Sequence, residues 1–193
     1  NAKAKAVVNK DKRFLSACNH SATHLMHYAL REVLGKHVEQ KGSLVNDNHL
    51  RFDFSHFEKL NEEQIRNVEN LVNSLINERI PLEENRSSTF EEAKAQGAIA
   101  LFGEKYGDTV RTIKFGDSME LCGGTHVQNT SDIWYFKITS QSAVASGVRR
   151  IEAITNKAAQ TFFEKQDQQL YDIKNLLQSN QNPVNQVEQT LKD

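Results

Sequence analysis

The sequence predicts an α+β fold: a mostly antiparallel sheet packed against helices, followed by a C-terminal helical extension. Three observations carry that prediction. Capped segments with helical periodicity crowd the first half of the chain. Short alternating apolar runs separated by glycines take over between Val110 and Ile154. From Lys157 onward the composition shifts to Gln, Asn, Lys and Leu, with apolar residues again at helical spacing.

The elements follow in order. Residues 1–13 set Lys3, Lys5, Lys10, Lys12 and Arg13 against the single acid Asp11, and read as a basic, solvated arm. The segment NHSATHLMHYALREVLG is the first helix, with Asn19 as its expected cap, an apolar face of Ala22, Leu25, Met26, Ala29, Leu30 and Val33, and Gly35 as its stop. A Lys41-Gly42 turn and the alternation of Leu50, Phe52 and Phe54 with Arg51 and Asp53 predict strand, turn, strand. Arg51 and Asp53 share one strand face and are expected to form a structural pair or a pocket wall. Asn61-Glu62-Glu63-Gln64 opens a second helix with the stripe Ile65, Val68, Val72, Leu75 and Ile76, stopped by Pro81; Thr89-Phe90-Glu91-Glu92 opens a third, short helix. Strands are expected at Val110–Phe115, Ile133–Thr139 and Val148–Ile154, with turns marked by Gly116, Gly123, Gly124 and Gly147. Three parts result: the arm 1–13, a domain over 14–156 and a helical linker over 157–193.

Composition excludes several classes. The chain has 193 residues, 38% hydrophobic and 25% charged, with a net charge of −1. That balance leaves any nucleic-acid contact to a local patch. No apolar run approaches the length of a membrane span, and Cys18 and Cys122 are too few for a disulfide framework, so a reducing compartment is expected. The chain opens at Asn1 and closes in a helical pattern, as expected of a piece of a longer protein.

Chemistry gathers at two places. His20 and His24 stand four apart on the first helix and project from one face, a half-site for zinc. Cys122-Gly123-Gly124-Thr125-His126 supplies a thiolate and an imidazole on a glycine turn without side-chain bulk between them. Either half alone reads as ordinary histidines and a small buried cysteine; together they favour a zinc ion. His27 is an alternate ligand or a supporting group, and an ordinary partly buried histidine is the preferred reading. Cys18 reads as structural, and His37, His49 and His56 receive no role. A His-Glu-x-x-His metalloprotease is excluded because Ser21 stands where its glutamate belongs. No nucleophile elbow, Walker loop or dinucleotide fingerprint is present, so no motif for activating an amino acid with ATP is seen.

These residues lie in long blocks: NHSATHLMHYALREVLGKHV, LRFDFSHFEKL, EEAKAQGAIALFGEKYGDTV, SMELCGGTHV and GVRRIEAIT. Over roughly residues 13 to 160 the chain resembles the editing domain of bacterial alanyl-tRNA synthetase, with the start of the linker after it. The resemblance implies hydrolysis of the ester joining serine or glycine to tRNA(Ala), in the cytoplasm, by part of an alanine–tRNA ligase whose other regions also contact the tRNA. It implies a Zn2+ ion held by His20, His24, Cys122 and His126. Gln40 and Cys122 are the implied catalytic residues, with Gln40 also handling the misacylated end. Thr23 and Thr125 are candidate substrate contacts, although helix packing and a turn hydroxyl are the plainer readings. Arg149 and Arg150 are candidate phosphate contacts, of which at most one faces the tRNA. Asp132, Tyr135 and Asn156 stand where the family has glycines, and Gln141 where it has a glutamate. Four protein ligands would close a tetrahedral site, whereas a catalytic zinc keeps one position open. The competing reading is therefore a zinc-stabilised tRNA-binding module without catalysis.

Overall fold

The structure is a computed structural model that describes residues 4–100, 107–177 and 182–192. Part of the ALFGEKYGD block and the first three residues of the basic arm lie outside the described residues. The chain falls into two compact units, residues 1–156 and 157–193.

In the first unit, α1 spans Lys10–Leu34 and is 25 residues long. It begins nine residues before Asn19, so Asn19 is not its cap; Asn9 is, accepting from the Lys12 amide at 3.0 Å. Residues 10–13 of the expected arm are thus the first turn of a helix. Asn19 is buried instead, its amide donating to the Asn46 carbonyl at 2.8 Å and its oxygen accepting from Thr155 Oγ1 at 2.7 Å. Gly35 ends the helix at φ 114°, returning its N–H to the Arg31 carbonyl.

Strands β1 (Gln40–Val45) and β2 (Leu50–Ser55) pair antiparallel. The expected Lys41-Gly42 turn is a bulge within β1, where register shifts between Gln40 and Gly42. The chain reverses at Asn46, whose side chain accepts from the amides of Asn48 and His49 at 2.8 and 2.9 Å. Helix α2 (Glu62–Asn77) has the capping box expected from Asn61 and Gln64, and buries Val68, Val72, Leu75 and Ile76. It ends at Asn77, four residues ahead of Pro81.

The edge strand β3 (Glu83–Ser88), sequence EENRSS, carries no apolar pattern and was not predicted. Helix α3 (Phe90–Ala95) has the Thr89–Glu92 capping box that the sequence shows. Strand β4 (Val110–Phe115) matches its prediction, and β5 (Ser118–Leu121) adds a short strand after a turn at Gly116, φ 59°. Ile133, expected in a strand, closes a 3-10 turn over Thr130–Ile133; strand β6 starts later, at Phe136, and runs to Ala145. Strand β7 is Val148–Thr155. Asn156 takes φ 47°, which accounts for a residue type that tolerates a glycine's place.

Two antiparallel sheets result, ordered β1-β2-β7-β6 and β3-β4-β5. The main core joins α1 and α2 to the larger sheet through Leu25, Met26, Leu30, Phe52, Val72 and Ile151. A small second core holds Ala93, Ala98, Val110, Met119 and Leu121. The second unit contains most of α4 (Asn156–Leu176) and all of α5 (Pro183–Thr190), as the tail's periodicity predicts. Among the described residues, no helix is long and apolar enough to cross a membrane.

Candidate metal centre

Helix α1 is buried continuously along one stretch because it runs through the main core, and that stretch includes Ser21, His24 and His27. His20 lies one turn before His24. The loop after β5 supplies Cys122 and His126. Together His20, His24, Cys122 and His126 place one candidate ligand atom each within 4.8 Å of one another.

The spacing has chemical content. Cys122 Sγ stands 3.5 Å from His20 Nε2 and 3.3 Å from His126 Nε2. In a tetrahedral zinc site, a sulfur at about 2.3 Å and a nitrogen at about 2.05 Å from the metal lie roughly 3.5 Å apart. His24 Nδ1 is buried and has no hydrogen-bond partner among the described residues. A Cβ at Gly124 would come within 2.1 Å of His20 Cε1, so the loop can approach His20 only with glycine there. One soft thiolate, neutral imidazoles and an orphaned buried nitrogen fit a zinc ion.

The electrostatics keep these imidazoles unprotonated. Burial, reinforced by His24, lowers the pKa of His20 to about 4. Burial likewise pushes His24 down, and His126 falls for the same reason with His24 and His20 beside it. An imidazole must be neutral to bind a metal, so the site is set for that state.

Supporting groups fix each ring. Ser21 Oγ lies 3.1 Å from His126 Nδ1 and accepts from the Val127 amide at 3.1 Å, leaving His126 Nε2 turned toward Cys122. Glu120, only 5% exposed, sits behind the helix: Oε1 is 2.8 Å from His27 Nδ1, and Oε2 is 3.7 Å from His24 Nε2. Burial works to raise its carboxyl, but His24 and the hydrogen bond with His27 outweigh it and hold the group below the usual carboxylate value. His27 therefore stands behind Glu120 and outside the four-residue group. The Gly124 amide donates to Cys122 Sγ at 3.4 Å.

Beside His126 an open cleft of about 340 Å³ is lined by Arg13, Glu84, Arg86, Arg111, Thr125 and the Gly-Gly turn, among others. Its cations outnumber its acids. Arg111 and Arg86 both reach Glu84, whose carboxyl the Arg111 hydrogen bond and then Arg86 hold down to about 2. The Arg13 guanidinium has no ion-pair or hydrogen-bond partner among the described residues.

The other expected site residues are dispersed. Thr125 is exposed in the cleft. Thr23 is buried and donates to the Asn19 carbonyl at 2.8 Å, which is helix packing. Gln40 begins β1, half-buried, with its amide donating to Ser43 Oγ at 3.2 Å, and it does not line the cleft. Arg150 is held bidentately by Asp53 on the neighbouring strand, its Nε and Nη2 donating at 2.7 and 2.8 Å. Asp53 also sits 3.7 Å from Arg51, the pair expected from their shared strand face. Arg149 reaches Gln141 at 3.5 Å, and Arg149 also does not line the cleft. Sequence reasoning missed Glu120, Ser21 and Arg111. Glu120 lies on β5, two residues before Cys122 and next to the loop.

This fold and this centre define a class. Residues 110–152, which include Cys122 and His126, match the family described as threonyl and alanyl tRNA synthetase second additional domain. The chain as a whole narrows the class. It is 60% identical over 186 residues to an alanine–tRNA ligase of Christiangramia forsetii, covering 96% of this chain and 21% of that protein. It is 56% identical over 182 residues to the enzyme of that name from Flavobacterium psychrophilum, covering 94% of this chain and 20% of the relative. A Bacteroides fragilis alanine–tRNA ligase is 58% identical over 171 residues, 89% of this chain and 20% of its own length. These findings fit the alanyl-tRNA synthetase editing domain. The chain spans about a fifth of the length of the curated relatives it matches.

Proposed function

We propose that this chain hydrolyses the ester that joins serine or glycine to tRNA(Ala), acting in the cytoplasm as the editing part of an alanine–tRNA ligase. The observation that carries this reading is the four-ligand group meeting a basic cleft at His126 and the Gly-Gly turn. The physical need is plain: a pocket for alanine cannot exclude glycine by size and rejects an added hydroxyl only weakly, so a second, hydrolytic site is required.

In this reading His20, His24, Cys122 and His126 hold Zn2+. When bound, it supplies a Lewis acid beside the cleft. Cys122 acts as a ligand in this reading: its sulfur lies 3.3 to 3.5 Å from His126 Nε2, the Gly124 amide and His20 Nε2. Thr125 offers its hydroxyl from the cleft wall to the aminoacyl group. Arg13, a cation of the cleft without an ion-pair partner among the described residues, attracts the phosphates of the tRNA end. Gln40 enters as a substrate-positioning amide by resemblance, and Gln40→Ala tests it directly.

Four protein ligands also favour a second reading, a closed zinc site that stiffens a tRNA-binding module. One experiment separates the two. Ser-tRNA(Ala) is incubated with the chain, with and without a chelator, and with His24→Ala alongside. Release of serine that the chelator and His24→Ala both abolish is expected. Full zinc occupancy with no release sinks the hydrolytic reading and leaves the structural one.

A further inference from the structure

We infer that Arg111 is the positioning residue that holds the Cys122–Gly124 loop in its metal-ready shape, with Glu84 as its anchor. The inference rests on the reading of that loop as a metal-binding segment. Beyond Leu121 strand β5 ends, and the chain enters two glycines; a Cβ on Gly123 would meet nothing within 4 Å. Such a segment has wide backbone freedom, yet Cys122 Sγ must arrive within tenths of an ångström of its place beside two imidazoles.

Arg111 supplies the restraint. From β4 its Nη1 donates to the Cys122 carbonyl at 2.9 Å and to the Gly124 carbonyl at 2.6 Å, so one nitrogen ties both sides of the turn. The Cys122 amide in turn donates to the Arg111 carbonyl at 3.0 Å, so residue 122 is held at both of its peptide groups. The guanidinium is aimed by its other edge: Nε donates to Glu84 Oε1 at 2.7 Å, from edge strand β3. A planar fork with several donors makes these contacts together; lysine, a single point donor on a flexible stem, cannot. Glu84 thereby gains a reason to stand in a strand that buries almost nothing: it fixes the direction of the fork.

Arg111 also lines the cleft, so a direct contact with the tRNA is the rival role. The two differ in what they move. A positioning residue changes metal affinity and loop order and leaves the KM for tRNA near its original value. A phosphate contact raises KM and reduces its salt dependence.

The test uses the 193-residue chain and the variants Arg111→Lys, Arg111→Met and Glu84→Gln, each checked for folding by circular dichroism. Zinc affinity is read by competition with a chromophoric chelator, and hydrogen exchange of the Gly123–His126 amides is followed in the metal-free chain. Both arginine variants are expected to weaken zinc by about 10- to 100-fold, the usual effect of removing a group that orients ligands. Glu84→Gln is expected to weaken it less, and loop exchange quickens in all three. Wild-type zinc affinity and wild-type loop exchange in Arg111→Lys and Glu84→Gln overturn the inference, even where Arg111→Met fails to fold. A rise in KM with zinc binding intact also overturns it, in favour of the phosphate contact. If the unaltered chain binds no zinc, the metal reading falls by itself, and the exchange of the metal-free loop still decides the role of Arg111.

Discussion

The molecule contains two sets of neighbouring histidines, and they are built on opposite principles. His20, His24 and His126 converge beside a thiolate, with ring centroids 4.3 to 5.2 Å apart. No hydrogen bond joins one imidazole of this set to another, and His24 Nδ1 has no partner at all among the described residues. His37 and His56 lie at the surface, their rings stacked at 25°, and satisfy each other through a 2.9 Å contact between Nε2 and Nδ1. The difference shows what marks a ligand site. Nearness of imidazoles is common to both sets; rings converging on one point beside a cysteine sulfur, with one buried nitrogen left without a partner among the described residues, belong to the first. Serine and carboxylate groups behind those rings supply the orientation that the surface pair lacks.

Acid should separate the two sets most strongly. His20, His24 and His126 all have pKa values below the free imidazole value, so the unfolded chain binds their protons first. In the metal-free protein their contribution to stability is intact above about pH 6.5 and is lost as pH falls toward about 4, the value for His20. Glu120, also lowered, adds a loss in the same direction through the carboxylate range. Each proton taken up on unfolding is worth about 1.4 kcal/mol per pH unit. Denaturant midpoints measured with a chelator present should therefore drop steeply between pH 7 and pH 5. A flat profile would mean that these imidazoles accept protons in the folded state, and the buried set would be no different from the exposed pair.

Gly124→Ala attacks the convergence itself. The new methyl would fall 2.1 Å from His20 Cε1 and 2.5 Å from Nδ1, so either the ring or the loop must leave its place. Overpacking of this kind costs about 1–3 kcal/mol, and zinc affinity should fall by about 100-fold, the upper end for loss of ligand orientation. Gly123→Ala is the control, since its Cβ would meet nothing within 4 Å, and it should keep its zinc. Equal zinc affinities in the two variants would show that the close approach of the loop to His20 does not govern the site.

How much of this could be read before folding depends on whether the signal is local. The capping boxes at Asn61 and Thr89 are complete within four residues, and both appear in the structure. The His20–His24 spacing and the Cys-Gly-Gly-Thr-His turn were likewise legible, because a helix period and a glycine pair act over a few residues. What joins them was not. Arg111 meets the loop because β4 pairs with β5, and Glu84 meets Arg111 because a wholly polar segment forms an edge strand. Asn19 looked like a cap because capping residues are polar and short. In fact the helix had already begun, and Asn19 is satisfied by Asn46 and Thr155, both far along the chain. The ion pair of Arg150 with Asp53 is likewise set by the register between β2 and β7. Each of these is a contact between separate elements, which local sequence patterns hide.

The surface pair gives the smallest effect and the cleanest control. Replacing His37 and His56 together with alanine removes one imidazole–imidazole contact at an exposed edge, where water replaces it at little cost. Surface changes of this kind usually stay within about 0.5 kcal/mol. Both side chains lie outside the four-residue group, so zinc stoichiometry and affinity should match those of the unaltered chain. Burial and His37 also lower the pKa of His56, so the variant should lose a small part of the pH dependence, while the part carried by His20, His24 and His126 persists. Chemical denaturation at pH 7 and pH 5 reads both points on one variant. If the steep loss toward acid vanished with His37 and His56, the proton uptake would belong to the surface, and the distinction between a satisfied pair and a waiting set of ligands would fail.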